Sequence, residues 1–189
     1  MGPRVDAQRN VDALLAAAKD EFAATGVDAS VRAIAGRAGV GTATLYRHYP
    51  LRSDLISAVF RREIDDCAAA APLLAAAHDP DRALELWLQR YSEFVTTKHG
   101  LAAALHSGDP AYSALPVYFH EHLGPVLQLL LANAQAAGTV RGGVDAFELL
   151  GAVANLCIPA PGSDDNSRAQ RMVALLIDGL RHVPDRGRS

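Results

Sequence analysis

Apolar residues recur at the spacing of an α-helix along almost the whole chain, and no stretch alternates as a half-buried strand would. Between residues 11 and 22 they fall at i, i+3, i+4, i+7 and i+11, which places them on one helical face. Gly26 follows as a stop signal. Ser30 is positioned to cap a second helix over residues 31–38. The pattern therefore predicts two consecutive amphipathic helices at the start of the chain.

A short third helix is predicted over residues 42–48, behind a glycine-containing turn, and Pro50 limits it to about two turns. A longer fourth helix is expected to begin at about Arg52 and to continue to about Cys67, because the apolar positions in that segment again share one face. A boundary between two parts of the protein is expected within this fourth helix, so that no flexible linker separates them.

The rest of the chain continues the helical pattern. We expect an amphipathic helix that begins at Asp79-Pro80, a short helix over 101–106, and a helix over about 117–136 that is bent or broken at Gly124-Pro125. The last two predicted helices occupy residues 145–157 and 167–182. The sequence thus predicts an all-α fold.

Composition narrows the class of protein. Hydrophobic residues make up 50% of the chain and charged residues 21%, which is typical of a soluble globular protein. No apolar run approaches the ~20 residues that span a bilayer. The first residues lack a secretory signal, so we expect a cytoplasmic protein with no membrane partner. Cys67 and Cys157 are expected to be small buried side chains, and a redox role for them stays open.

Charge is divided unevenly along the chain. The formal net charge is −3, but residues 1–62 carry a net +3 and residues 63–189 a net −6. A basic first part on an acidic remainder indicates that only the first part meets an anion.

The segment GVGTATLYRHYP, residues 39–50, suggests what that anion is. Two short helices separated by a tight turn and supported by a first helix have the layout of a helix-turn-helix, whose second helix enters the major groove of DNA. Thr42, Ala43 and Thr44 occupy the first turn of that helix and are small enough to meet base edges.

Other polar side chains of the same region suit phosphate oxygens, which fix the register of a protein on DNA. We assign this role to Tyr46, His48 and Arg52. Arg32 is equally compatible with DNA contact and with simple solvation. A buried aromatic cluster is the alternative for Tyr46 and His48, and Tyr49 is expected to pack against the first helix.

The order Thr44, Leu45, Tyr46, His48, Tyr49 and then Arg52, with its flanking apolar positions over about residues 11–59, resembles the TetR family of bacterial transcriptional regulators. The resemblance implies a homodimer with a helix-turn-helix DNA-binding domain, residues 1–52, and a helical effector-binding and dimerisation domain, residues 53–189. It also implies binding to double-stranded DNA at an inverted-repeat operator. A repressor released by an unknown small-molecule effector is the function that it favours.

Two sets of residues in the second domain are candidates for these roles. Tentative effector-pocket residues are Trp87, Tyr91, Phe94, Leu105, His106, Tyr118 and Phe119, although for the aromatic stripe Trp87, Tyr91 and Phe94 ordinary core packing is the favoured explanation. Residues expected in the dimer interface are Leu149, Leu150, Val153, Met172, Leu176 and Leu180.

Enzymatic chemistry is not expected. The sequence offers no Ser/His/Asp arrangement, no paired carboxylates and no metal-ligand spacing, so we expect no catalytic residues, no metal and no cofactor. A small helical enzyme, a pure small-molecule binder and an interaction module without a DNA role remain the alternatives. Binding to duplex DNA that weakens steeply with salt would separate the regulator from all of them.

Overall fold

The structure, a computed structural model, describes residues 3–97, 108–158 and 166–181. Its helices are α1 (Pro3–Thr25), α2 (Val31–Arg37), α3 (Thr42–His48), α4 (Arg52–Ala77), α5 (Pro80–Thr97), α6 (Leu115–Ala136), α7 (Ala146–Leu156) and α8 (Asn166–Leu180), with a 3₁₀ turn at Pro110–Tyr112. Within these ranges the only β pairing is an isolated antiparallel bridge between Val140 and Arg181. The predicted all-α fold is confirmed. None of the helices in the described ranges has the length and apolar character needed to cross a membrane.

The chain forms two compact units. The first comprises Met1–Ile64 and Thr97–Tyr118, and the second comprises Asp65–Thr96 and Phe119–Ser189. Helix α4 contributes to both units, which divide between Ile64 and Asp65. The domain ranges suggested by the sequence divide earlier in the same helix, after residue 52. The predicted short helix at 101–106 lies outside the described residues.

The core of the first unit comes from the apolar faces of α1 to α4. Its most deeply buried side chains are Leu14, Phe22, Ile34, Leu45 and Ile56. These positions lie on the stripes that the helical spacing predicts, so burial of one face of each helix accounts for the arrangement.

Two ion pairs join α1 to α4 across the surface of this unit. The Lys19 ammonium lies 2.7 Å from the Glu63 carboxylate, and the Arg62 guanidinium lies 2.6 Å from the Asp12 carboxylate. The Arg62 hydrogen bond lowers the pKa of Asp12. Because all four side chains are partly exposed to solvent, each pair fixes geometry more than it adds stability.

Helix α4 is longer than predicted. It continues past Cys67 and through Pro72 to Ala77. The segment after Cys67 is mostly alanine and leucine, which have the highest helix propensities, and the exposed Pro72 removes only one backbone donor. The helix propensities of these flanking residues together offset the cost of Pro72, so α4 continues past it.

Helix α6 also differs from the prediction, because it is not interrupted at Gly124-Pro125. A Cβ atom at Gly124 would lie 2.4 Å from the Phe147 ring of α7. Gly124 therefore lets that ring approach the α6 backbone, and the Gly-Pro pair serves packing within a continuous helix instead of breaking it.

Candidate nucleic-acid interface

The turn between α2 and α3 is set by glycine. Gly39 has φ +69°, a conformation that side chains with a Cβ rarely adopt. Its N–H donates to Gly36 O at 3.1 Å, and the Val40 N–H donates to Ala35 O at 3.0 Å, the two bonds of a Schellman motif. Gly41 then caps α3 without a side-chain hydrogen bond. The two short helices are therefore joined as a helix-turn-helix requires.

Helix α3 has one anchored face and one exposed face. Leu45 is 2% exposed and fixes the helix to the core of the first unit. Thr42 and Ala43 are exposed, Thr44 is half-buried, and Tyr46 is 53% exposed. A phenol ring left half in solvent beside small residues is a surface that can receive a partner.

The arginines of the first unit differ in what they bind. Arg37 lies 2.8 Å from Asp20 and 3.4 Å from Glu21, so α2 is tied to α1. Arg61 lies over the ring of Tyr118, 4.9 Å from its centroid. These two cations are engaged by their own chain.

Arg32 and Arg47 are different, because both are exposed and neither makes a hydrogen bond or ion pair within the part of the chain that the structure describes. Arg32 lies on α2, and Arg47 lies on α3 next to Tyr46. Arg47 was absent from the sequence-based set of DNA contacts, although a cation beside the Thr-Leu-Tyr segment is a visible signal. The exposed, uncompensated charge of the helix-turn-helix is thus concentrated on these two side chains.

Arg52 does not present its guanidinium as predicted. Its Nε donates to the carbonyl oxygen of Val27 at 2.6 Å, and its Nη2 donates to that of Ala29. Both acceptors belong to the connection between α1 and α2. The side chain is therefore turned towards its own chain, which argues against the phosphate contact expected from the sequence.

His48 is also turned inwards. Its Nε2 atom is buried and, among the described residues, has no hydrogen-bond partner. The neighbouring Tyr49 is half-buried, and burial together with the charge of Asp12 on α1 raises the pKa of its phenol. Of the three residues assigned to phosphate contacts, only Tyr46 is placed on the exposed face of α3.

The aromatic residues of α5 form a packed cluster in the second unit. Trp87 and Tyr91 stack with their ring centroids 5.8 Å apart, and both are almost fully buried. The indole N–H of Trp87 donates to Cys67 O at 3.0 Å, and the Tyr91 hydroxyl donates to Leu150 O at 3.2 Å. Burial raises the pKa of Tyr91. Satisfied polar groups on buried rings favour the core interpretation over a ligand pocket.

The other pocket candidates are distributed between the two units. Phe94 and Phe119 lie 6.1 Å and 6.0 Å from the Tyr91 ring by centroid. Tyr118 belongs to the first unit, and Leu105 and His106 lie outside the described residues. The structure therefore brings four of the seven candidates together, as a core cluster.

The residues predicted for the dimer interface are mostly buried in their own chain. Those with at most 6% of their surface exposed are Leu149, Leu150, Val153 and Leu180. Met172 and Leu176 are half-buried, and the neighbouring Leu175, which the prediction omitted, is 62% exposed. A surface that meets a second copy must use such exposed positions.

A cleft of about 570 Å³ opens beside these residues, between α7, α8 and the connection at 141–145. Leu149, Leu176 and Leu180 line it. The Arg141 guanidinium donates to the Gly179 carbonyl and ties the connection to α8. Among the described residues no group of three His, Cys, Asp or Glu side chains could hold a metal ion.

Two family models match the chain. Residues 14–59 match the model for bacterial regulatory proteins of the tetR family. Residues 79–182, more than half of the chain, match the model for the C-terminal domain of SbtR-like transcriptional regulators. A comparison with curated protein sequences gives no match.

Solved structures agree with the family models. A TetR transcriptional regulator from Streptomyces coelicolor, SCO0520, is 34% identical with a TM-score of 0.76, over 90% of this chain and 97% of that one. A TetR regulatory protein from Mycobacterium vanbaalenii is 33% identical with a TM-score of 0.74, over 96% and 100%. An ArpA-like gamma-butyrolactone receptor, 20% identical with a TM-score of 0.63 over 95% and 92%, shares the fold alone.

Proposed function

The chain belongs to the TetR family of bacterial transcriptional regulators, which are DNA-binding transcription factors and not enzymes, and we propose that it is a repressor that a small-molecule effector releases from a palindromic operator. The observation that carries the DNA-binding role is the exposed face of α3, where small residues adjoin Tyr46 and Arg47, and Arg47 has no ion-pair partner among the described residues.

In this proposal α3 is the recognition helix of a DNA-binding head, residues 1–52. Thr42 and Ala43 approach base edges, because their small side chains let the backbone come close and the threonine offers a hydroxyl and a methyl group. Tyr46, Arg47 and Arg32 bind phosphate oxygens, which orient the helix without reading sequence. Leu45 holds the opposite face in the core.

The protein is proposed to act as a homodimer through α7 and α8. Leu175 supplies an exposed apolar side chain, and the half-buried Met172 and Leu176 extend its surface along the same helix. Two helices from each copy can pack as a four-helix interface, and such an interface uses the same surface on both partners.

Release by an effector is proposed from family membership. The helical body, residues 53–189, is the part available to bind a ligand, and α4 is shared by both compact units. A ligand that binds more tightly to the arrangement unable to hold DNA would lower operator affinity, typically by 1–3 kcal/mol of coupling. The stack of Trp87 on Tyr91 does not support a ligand pocket at these two residues, because the polar groups of both rings already bond to the chain's own carbonyl oxygens.

Selection of bound fragments from a random duplex pool tests the proposed function directly. We expect the selected sites to be inverted repeats with half-sites about one helical turn of DNA or more apart, because a two-fold dimer presents two α3 helices symmetrically. Enriched sequences without a dyad would contradict the dimeric arrangement, and no enrichment above the starting pool would contradict sequence-specific binding.

Replacing Arg47 with glutamine is expected to weaken DNA binding, because one phosphate contact is removed. The magnitude of the negative slope of log affinity against log salt should fall by about 1. Fluorescence anisotropy with a labelled duplex at several salt concentrations measures both quantities. Arg37→Gln is the matched control, because Arg37 already pairs with Asp20 and Glu21. This substitution should leave the slope unchanged. Equal slopes for Arg47→Gln and the unsubstituted protein would remove Arg47 from the interface.

A further inference from the structure

We infer that Arg52 is a positioning residue for DNA binding, which holds the connection between α1 and α2 and does not contact phosphate. The inference rests on the proposed DNA-binding function and adds to it how the helix-turn-helix is held in place. Arg52 is the first residue of α4, whereas its hydrogen-bond acceptors lie directly before α2. One side chain therefore ties the start of α4 to the entrance of the motif.

The geometry at the entrance to α2 explains why such a tie is needed. Ser30 precedes the helix with extended backbone angles, and its side chain makes no capping hydrogen bond. The carbonyl of Ala29, one residue earlier, accepts from Arg52 Nη2, and the carbonyl of Val27 accepts from Nε. Arg52, which lies on another helix, thus holds the connection that leads into α2, and Ser30 at the start of α2 provides no side-chain cap.

The atoms that Arg52 uses limit what else it can bind. Nε and Nη2 lie on the same edge of the planar guanidinium, and this edge can donate two parallel hydrogen bonds to one phosphate or carboxylate. Two backbone carbonyls occupy it here. A phosphate could take that edge only by breaking both bonds.

The position of the charge supports the same role. A cation in the first turn of a helix is disfavoured by the helix dipole. Asp54, three residues after Leu51, accepts the Leu51 N–H at 2.9 Å and supplies negative charge there. The carbonyl oxygens of Val27 and Ala29 stabilise the guanidinium, which the dipole of α4 does not. These two acceptors therefore explain the conformation of Arg52.

Lysine distinguishes the two possible roles of this residue. Its ammonium retains the charge and can bind a phosphate as a point charge, but it has one nitrogen and cannot reproduce the fork that spans two carbonyls. A phosphate contact at position 52 would therefore tolerate lysine, whereas a positioning role would not.

The test compares Arg52→Lys and Arg52→Gln with Arg47→Lys and Arg47→Gln in the full chain, at a temperature where circular dichroism shows each variant fully folded. We expect both Arg52 variants to bind the selected operator about tenfold more weakly, as when a hydrogen bond to a charged group is lost, with the salt slope unchanged. Arg47→Lys should keep most of the affinity, and Arg47→Gln should lose about one unit of slope.

Hydrogen exchange of the backbone amides at 26–32 in DNA-free protein gives an independent readout. Both Arg52 variants should exchange faster there, and the Arg47 variants should not. Near-normal affinity of Arg52→Lys, a lower salt slope for Arg52→Gln, or unchanged exchange would overturn the inference. If the unsubstituted protein binds no DNA, the proposed function fails, and the exchange data alone decide whether Arg52 holds the connection.

Discussion

Replacing Trp87 with alanine is expected to lower the free energy of unfolding by about 3–5 kcal/mol, because a fully buried indole leaves a cavity that the surrounding helices fill only in part. The side chain is 0% exposed and stacks on Tyr91. Removing it also leaves the Cys67 carbonyl without the indole donor. A loss of this size is a large fraction of the 5–15 kcal/mol that is typical of a folded domain.

Chemical denaturation followed by circular dichroism measures this effect, since Trp87 is the single tryptophan of the chain and tryptophan fluorescence is lost with it. Trp87→Phe is the graded control, because it keeps an aromatic ring and loses the N–H donor together with only part of the buried volume, so its cost should be smaller, about 1–3 kcal/mol. A stable Trp87→Ala protein that has lost only its response to a verified effector would contradict the core interpretation and restore the ligand pocket.

The sequence predicts the helix-turn-helix well because its signals are local. The apolar positions of α2 and α3, the stop at Gly39 and the break at Pro50 all act within a few residues, and the structure places α3 at the predicted Thr42–His48. The left-handed conformation of Gly39 is the local feature that the turn requires.

The direction of the polar side chains could not be predicted in the same way. Arg52 binds carbonyl oxygens of Val27 and Ala29, and every residue has such an oxygen, so no pattern in the sequence marks these acceptors. A motif match gives Arg52 the position of a phosphate contact, whereas the conformation of a distant connection decides where its guanidinium lies. Arg47 was missed although it stands beside the Thr-Leu-Tyr segment, because the sequence does not show which cations, such as Arg37 and Arg61, are engaged by their own chain.

Helix α7 illustrates a second limit. Its sequence AFELLGAVANL is apolar on most sides, so helical spacing cannot tell which side faces the core of its own chain. The predicted stripe Leu149, Leu150 and Val153 is the side that the chain buries. The choice between an internal face and an interface depends on which other helices pack there, and this is a property of the whole fold.

Replacing Leu175 with glutamate is expected to convert the proposed dimer to a monomer at micromolar concentration and to weaken operator binding by about 10²–10⁴-fold, because two linked heads hold an inverted repeat far more tightly than one head. Leu175 is 62% exposed in the single chain, so the charged side chain is solvated in the monomer and unpaired only in the interface. Sedimentation velocity and operator binding measure the two effects.

Leu129→Glu on α6 is the matched control, since Leu129 is also 62% exposed. It should leave both the mass and the affinity unchanged. A Leu175→Glu protein that remains dimeric would remove this part of α8 from the interface, and dissociation of the Leu129→Glu protein would extend the interface to α6.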